Sequence, residues 1–224
     1  NDLIRTQVEA QHHPASARAN YEAGRALASV FDRDRANLVA YALARRHYEL
    51  ATEADPNFKL GLLGGLVLDC GRSANIDPSM VEVLSLRLER TPYSAEAKEA
   101  MRTISEMSSE GTLCLKRQDV ERLFASALSN PAIPPDGKAR LHVWLADYLW
   151  LNLRDLSGAK ASIQAALGLM PADASNRLKW AQLVFLSGER QEAHRLLLEL
   201  RGGSFSKEEN KTLNELLFRL ENAE

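Results

Sequence analysis

Between residues 139 and 207 the sequence repeats a helix-turn-helix pattern with a period of 34 residues. Ala159 and Ala193 mark this period, because each stands where a second helix must approach its partner closely and a small side chain permits the contact. A glycine-containing turn joins the two amphipathic runs of each segment. Repeats of this kind stack so that each helix pair buries its apolar face against the next pair. The spacing therefore predicts an all-α solenoid of helical hairpins.

Composition excludes several classes of partner. The 224 residues carry a formal net charge of −2 and contain no long run of Lys or Arg. Nucleic-acid-binding domains present a strongly basic surface, so we expect no nucleic-acid partner. The longest apolar stretch, 60–68, is too short to cross a bilayer, and we expect no direct membrane insertion by this segment.

Helix caps and prolines divide the chain into predicted helix pairs. We interpret residues 1–224 as a single helical-repeat domain. Its predicted parts are a first repeat at 14–57, degenerate helix pairs at 58–138, two clear repeats at 139–207 and a C-terminal capping helix at 207–224. The prolines at 131, 134 and 135, with Gly137, are interpreted as a rigid linker.

The chain resembles a tetratricopeptide-repeat protein over roughly residues 14–222. The resemblance is carried by residues at consensus positions of the repeat. These are Ala44, Tyr48, Ala51 and Pro56 in the first repeat, Ala159, Ile163, Ala166 and Pro171 in the next clear one, and Gly188, Ala193 and Leu197 in the last. From Gly24 to Pro56 the chain is about eight residues longer than the family consensus. We therefore expect a long loop between the helices of the first repeat.

The segment HHPASARANYEAGRA, residues 12–26, is similar to the first repeat of bacterial polytopic inner-membrane proteins of the transmembrane and tetratricopeptide-repeat type. In that family a membrane part related to lipid-linked sugar transferases precedes soluble repeats on the extracytoplasmic side. The resemblance implies that this chain is such a repeat tail, on the periplasmic side of the inner membrane. A stand-alone repeat protein, including a cytoplasmic one, remains the alternative. The first residue is Asn1, and we expect a processed form or an excised segment.

The sequence contains none of the common catalytic motifs. A glycine-rich phosphate loop, paired metal-binding cysteines and a nucleophile elbow are all missing from it. The five histidines are scattered, whereas a metal site needs three or four converging ligands. We therefore expect no enzyme activity in this segment, no cofactor and no metal, although a longer parent protein could carry a membrane glycosyltransferase part. Gly64 and Gly65 are attributed to close helix packing.

Cys70 and Cys114 fall near the ends of the first helices of neighbouring predicted pairs. Equivalent positions of adjacent repeats lie close together in a solenoid, so a disulfide is geometrically possible. An extracytoplasmic location favours the bridge, and a cytosolic location favours two free thiols. Both remain open at this point.

The inner surface of such a stack is lined by the first helix of each pair. The family's groove positions, transferred to this sequence, are the candidate groove residues Arg18, Tyr21, Arg25, Leu141, Trp144, Tyr148, Leu178, Gln182 and Phe185, with Leu151 and Ser175 at the remaining positions. Arginine beside tyrosine or tryptophan is typical of interface anchors. The alternative for Trp144 and Tyr148 is packing against a neighbouring helix.

The sequence thus predicts a non-catalytic domain that binds a protein or peptide ligand. It would be the extracytoplasmic tail of a membrane protein linked to glycan transfer or envelope assembly. The alternative is a free-standing scaffold or adaptor of a bacterial secretion or assembly complex.

Overall fold

The computed structural model describes residues 2–72 and 76–222. Over these residues the chain is all-α and contains twelve α-helices and one short π-helical turn. The helices are α1 (Asp2–His12), α2 (Ala17–Arg33), α3 (Leu38–Ala54), α4 (Lys59–Gly71), α5 (Pro78–Arg90), α6 (Ala95–Ser109), α7 (Arg117–Ser129), α8 (Pro135–Asp147), α9 (Leu156–Leu169), α10 (Ala174–Leu186), α11 (Arg190–Glu199) and α12 (Lys207–Glu221), and the π turn is Tyr148–Asn152. The chain forms two compact units, Asn1–Ala132 and Ile133–Glu224.

The first unit stacks three helix pairs, α2–α3, α4–α5 and α6–α7. The first helices contact each other in series, α2 with α4 and α4 with α6, while α5 packs on α7 and α1 packs on α2. Ser16 and Ser94 cap α2 and α6, because each hydroxyl accepts a hydrogen bond from a backbone N–H three residues on. Consecutive neighbour packing of this kind is that of an all-α helical repeat, as the sequence predicts.

The first pair differs from its sequence expectation. Instead of a long interhelix loop, α2 and α3 are each 17 residues long and are joined by only residues 34–37. The extra residues extend both helices, because Phe31 in the last turns of α2 is buried against Tyr41 of α3, with ring centroids 5.4 Å apart. Burying an aromatic side chain of this size stabilises the added turns.

Tyr48 of α3 is the spacer between α2 and α4. A Cβ atom placed on Gly24 would lie 2.9 Å from the Tyr48 ring, and one placed on Gly64 would also collide with it. Glycine at both positions therefore lets α2 and α4 close on the two sides of one tyrosine. This packing agrees with the interpretation of Gly64 from the sequence.

A buried carboxylate and a disulfide tie α4 to its neighbours. Asp69 accepts a hydrogen bond of 2.8 Å from the Tyr41 hydroxyl and is paired with Arg45 of α3. Cys70, in the last turn of α4, is joined to Cys114 by a disulfide with a Cα–Cα distance of 5.2 Å. Cys114 lies in the loop after α6 rather than inside that helix. The bridge thus fastens the first helix of one pair to the loop that follows the first helix of the next.

The second unit contains the pairs α8–α9 and α10–α11, with α12 packed on both α10 and α11. Ala159 and Ala193 are both 0% exposed, and Ile163 and Leu197 below them are also fully buried. The 34-residue period therefore marks equivalent core positions in the two second helices. Helix α12 starts with a capping box between Ser206 and Glu209. Pro135 and Gly137 belong to the first turn of α8, so that part of the expected proline linker is helical instead.

The π turn adds one residue to the α8–α9 hairpin. The Leu149 carbonyl accepts from Asp155 N, six residues on, whereas the Val184 carbonyl accepts from Glu189 N, five residues on. Ahead of the turn the buried positions repeat at 35 residues, as Ala146 and Ala181 do, and after it they repeat at 34. Single-residue insertions of this kind are typical of π turns within helices.

Candidate binding groove

The first unit has an open groove across its first helices. It has a volume of about 350 Å³ and is lined by Arg18, Tyr21, Glu22 and Arg25 of α2, Leu60 of α4, and Ala95, Glu96 and Glu99 of α6. The three candidate residues predicted on α2 thus lie together on its open side. The α6 residues were not predicted.

Equivalent positions line the groove on each helix. Counted from the N-cap residues, Arg18, Leu60 and Glu96 are all at the second helical position. Side chains at one position of successive stacked helices fall on the same surface. Ser94 is visible in the sequence as a helix cap, so counting from it would have identified Glu96 and Glu99.

Tyr21 forms the rigid centre of the groove. Its ring lies between Tyr48, at 5.9 Å between centroids, and Phe58, at 5.7 Å. Its hydroxyl has no hydrogen-bond partner among the described residues. Burial raises the pKa of Tyr21, with Arg25 opposing the shift and Glu22 adding to it. The phenol is therefore neutral at physiological pH and can both donate and accept a hydrogen bond.

The two arginines of the groove differ in their pairing. Arg25 Nε donates to Glu22 at 2.9 Å within α2, and this hydrogen bond raises the pKa of Arg25. Arg18 is exposed and takes part in no ion pair within the described part of the chain. Arg18 is therefore the positive charge of this wall that is open to a ligand.

The opposite wall, at the start of α6, is acidic. Hydrogen bonds to its own backbone N–H and to Ser94 lower the pKa of Glu96, and Arg18 and Lys59 lower it further. Glu99 accepts two hydrogen bonds from Arg102, which lower its pKa. Both carboxylates are ionised at neutral pH, but only Glu96 is without an arginine in direct contact.

Lys59 connects α4, which forms the floor of the groove between the two walls, to the segment before the acidic wall. The side chain is 1% exposed, and its Nζ donates to the carbonyl oxygens of Asn57, at 3.2 Å, and Pro92, at 3.5 Å. Burial lowers the pKa of Lys59, and the nearby Glu96 opposes that shift. The ammonium thus links the start of α4 to the segment that leads into α6.

Two further clefts border the same exposed side of α2, between α1 and α2. Their volumes are about 310 and 500 Å³, and both are lined by Arg5, Thr6 and Glu22.

His47 of α3 holds α1 in place, since its Nδ1 lies 3.0 Å from Asn20 Oδ1 and its Nε2 lies 3.2 Å from the Gln7 amide oxygen. Burial and the neighbouring Arg46 lower the pKa of His47.

The predicted groove residues of the second unit are mostly not available to a ligand. Leu141, Tyr148 and Leu178 are buried. Leu178 and Phe185 pack in the cluster that α12 completes through Leu213, Leu216 and Leu217, so the capping helix covers this face of α10. Trp144 and Gln182 are half-buried, whereas Ser175 and Leu151 are exposed.

The burial of Tyr148 has a specific cause. The π turn shifts α8 by one residue relative to α10, so that Tyr148 is equivalent to the buried Leu183 and not to Gln182. The family's groove positions place Tyr148 in the groove, but here its side chain is buried. The packing alternative applies to it.

Within residues 2–72 and 76–222, no group of three His, Cys, Asp or Glu side chains is arranged to hold a metal ion. In the same residues no helix has the length and apolar character needed to span a bilayer. Compared with known protein families and with curated proteins, the chain matches no family model and no curated sequence.

Proposed function

We propose that this chain is a non-catalytic helical-repeat domain that binds a protein or peptide in the groove across α2, α4 and α6. One observation carries the proposal: Tyr21 is half-buried and held by two aromatic neighbours, and it lines the open groove beside the exposed Arg18. Rigid tyrosine beside arginine supplies contact area at a small entropic cost, which favours binding.

Site-specific photo-crosslinking tests the location of binding. A photoreactive residue in place of Arg25 should trap a partner in cells, whereas the same residue in place of the exposed Arg122 on α7 should not. Equal crosslinking at both positions, or none at position 25, would contradict the groove. The matched position on α7 controls for non-specific capture.

We further propose that the domain is of the tetratricopeptide-repeat type and lies on the extracytoplasmic side of a bacterial inner membrane. The disulfide between Cys70 and Cys114 supports an oxidising compartment, because such bridges are rare in reducing cytosol. In this proposal the domain is the repeat tail of a membrane protein linked to glycan transfer or envelope assembly.

A free-standing scaffold of a secretion or assembly complex is the second candidate, and the disulfide suits an exported scaffold equally well. The sequence encoded ahead of Asn1 distinguishes the two. Several apolar segments of about 20 residues would support the membrane-protein tail, and a single cleavable signal would support the exported scaffold.

A further inference from the structure

We infer that the groove selects a partner segment of mixed charge, which places a carboxylate at Arg18, a basic group at Glu96, and an apolar side chain on Tyr21 between them. This inference rests on the proposed function and adds the chemistry of the partner. It follows from how charge is distributed over the two walls and the floor.

The α2 wall offers one accessible positive charge. Arg25 is already neutralised by Glu22, at 2.8 Å between Arg25 Nη2 and Glu22 Oε2, so a ligand would have to compete with an existing pair. Arg18 is exposed and has no such partner among the described residues. A guanidinium in this position binds carboxylates well, because its planar donors match both carboxylate oxygens.

The α6 wall offers one accessible negative charge. Glu99 is held by Arg102, with 2.6 Å between Glu99 Oε1 and Arg102 Nη2. The contacts of Glu96 to Ser94 and to backbone keep it ionised without neutralising it. An ionised carboxylate can still accept hydrogen bonds from a lysine or arginine of a partner.

Arg18 and Glu96 do not form an ion pair with each other, although the positive charge of Arg18 lowers the pKa of Glu96 across the groove. The space between them is the groove itself. A partner of one charge sign would gain at one wall and be repelled at the other. A partner with both signs gains at both, so the walls select for mixed charge and for one direction of binding.

The floor sets what lies between the two charges. Leu60 and Ala95 provide apolar surface beside the fixed Tyr21 ring, and the Tyr21 hydroxyl can bond to a backbone group of the ligand. An aliphatic or aromatic side chain fits this surface better than a charged one. Because the charged positions lie on α2 and α6 with α4 between them, the segment crosses the first helices with its acidic end over α2.

The experiment selects binders to the full chain from a displayed library of random 12-residue peptides. The same library is tested in parallel against the Tyr21→Ala, Arg18→Glu and Arg122→Glu variants. Enriched peptides should carry an acidic and a basic residue on either side of an apolar one. Their binding should be lost with Tyr21→Ala and retained with Arg122→Glu. Circular dichroism and the thermal midpoint verify folding, and Tyr21→Phe, which keeps the ring, is a second variant.

A charge-reversal cycle then tests the assignment. Arg18→Glu should weaken the binding of a selected peptide about threefold, because ion pairs at exposed sites have effects of this size. Replacing the peptide's acidic residue by lysine should restore binding to that variant. Glu96→Lys should give the same result with the peptide's basic residue. Peptides that need Tyr21 but are neutral or of a single charge would overturn the mixed-charge inference and leave the proposed function standing. If no peptide is enriched, or if the groove variants have no effect, both are overturned.

Discussion

The two units use the same helical hairpin in opposite ways. In the second unit the second helices, α9 and α11, keep the 34-residue spacing, and α12 packs over the face of α10 that carries Leu178 and Phe185. In the first unit the spacing is irregular, yet α2 keeps Arg18 and Arg25 exposed and the half-buried Tyr21 at the surface of the groove. Regular spacing therefore indicates where the core is well packed, and it does not indicate where polar and aromatic side chains line an open groove.

The largest expected effect concerns the disulfide, which lies in the first unit. Replacing both Cys70 and Cys114 by serine opens a covalent loop with a sequence separation of 44 residues. The chain-entropy model gives a loss of about 4 kcal/mol in the free energy of unfolding. Chemical denaturation of the wild type with and without reductant should reproduce this loss. A midpoint that reductant does not change would show that the bridge contributes nothing to stability.

Two helical glycines allow a matched comparison of packing in the units. Gly64→Ala should destabilise the protein by about 1–3 kcal/mol, because the added methyl group collides with the Tyr48 ring. Gly168→Ala, in α9, meets no atom within 4 Å and should stabilise it by up to about 1 kcal/mol through helix propensity. Urea denaturation measures both changes. Equal effects of the two substitutions would refute the difference in packing.

Two turn residues 34 positions apart test the hairpins of the second unit. Arg154 has φ of 57°, and Gly188 has φ of 84° at the equivalent position of the next hairpin. A left-handed conformation strains a residue that has a Cβ. Arg154→Gly should therefore increase the free energy of unfolding by about 0.5–1 kcal/mol, and Gly188→Ala should decrease it by about 1 kcal/mol. The thermal midpoint should rise in the first variant and fall in the second. Arg154 also lies over the Trp150 ring at 5.6 Å, and an unchanged midpoint would mean that this contact offsets the strain.

The smallest expected effect is a pH dependence shared by both units. Burial lowers the pKa of His47 in the first unit and of His142 in the second. Below a pH of about 6.5 the unfolded chain therefore binds protons that the folded chain does not, so stability should fall as the pH drops toward 5.

His47→Gln and His142→Gln should each reduce this acid loss of stability, as measured by denaturation at pH 7.5 and pH 5. His12→Gln, at an exposed position of α1, is the control. If neither His47→Gln nor His142→Gln changes the loss of stability at acid pH, that loss belongs to other titratable groups.

The helices themselves could be predicted from local signals. Ser16, Ser94 and Ser206 cap helices, and Pro78 begins α5. Each signal acts within one turn of the chain, so it is visible without tertiary structure.

The groove could be predicted only in part. Arg18, Tyr21 and Arg25 are implied by the resemblance, through the groove positions of the family. The covering of Leu178 by α12, in contrast, depends on residues more than 30 positions away. The inserted residue in the π turn leaves the hydrophobic pattern of α8 almost unchanged, so Tyr148 was assigned to the wrong face. Lys59 gave no signal, because a lysine at the start of a helix is normally solvated.

The position of Tyr48 between Gly24 and Gly64 limits how this protein can diverge. A larger residue at either glycine position is tolerated only if the residue at 48 becomes smaller. Among relatives of this chain, we expect these three positions to change together, with total side-chain volume conserved. An alanine at position 64 should thus occur with a side chain smaller than tyrosine at position 48, and the same pair of substitutions in this chain should recover the stability that the first one loses.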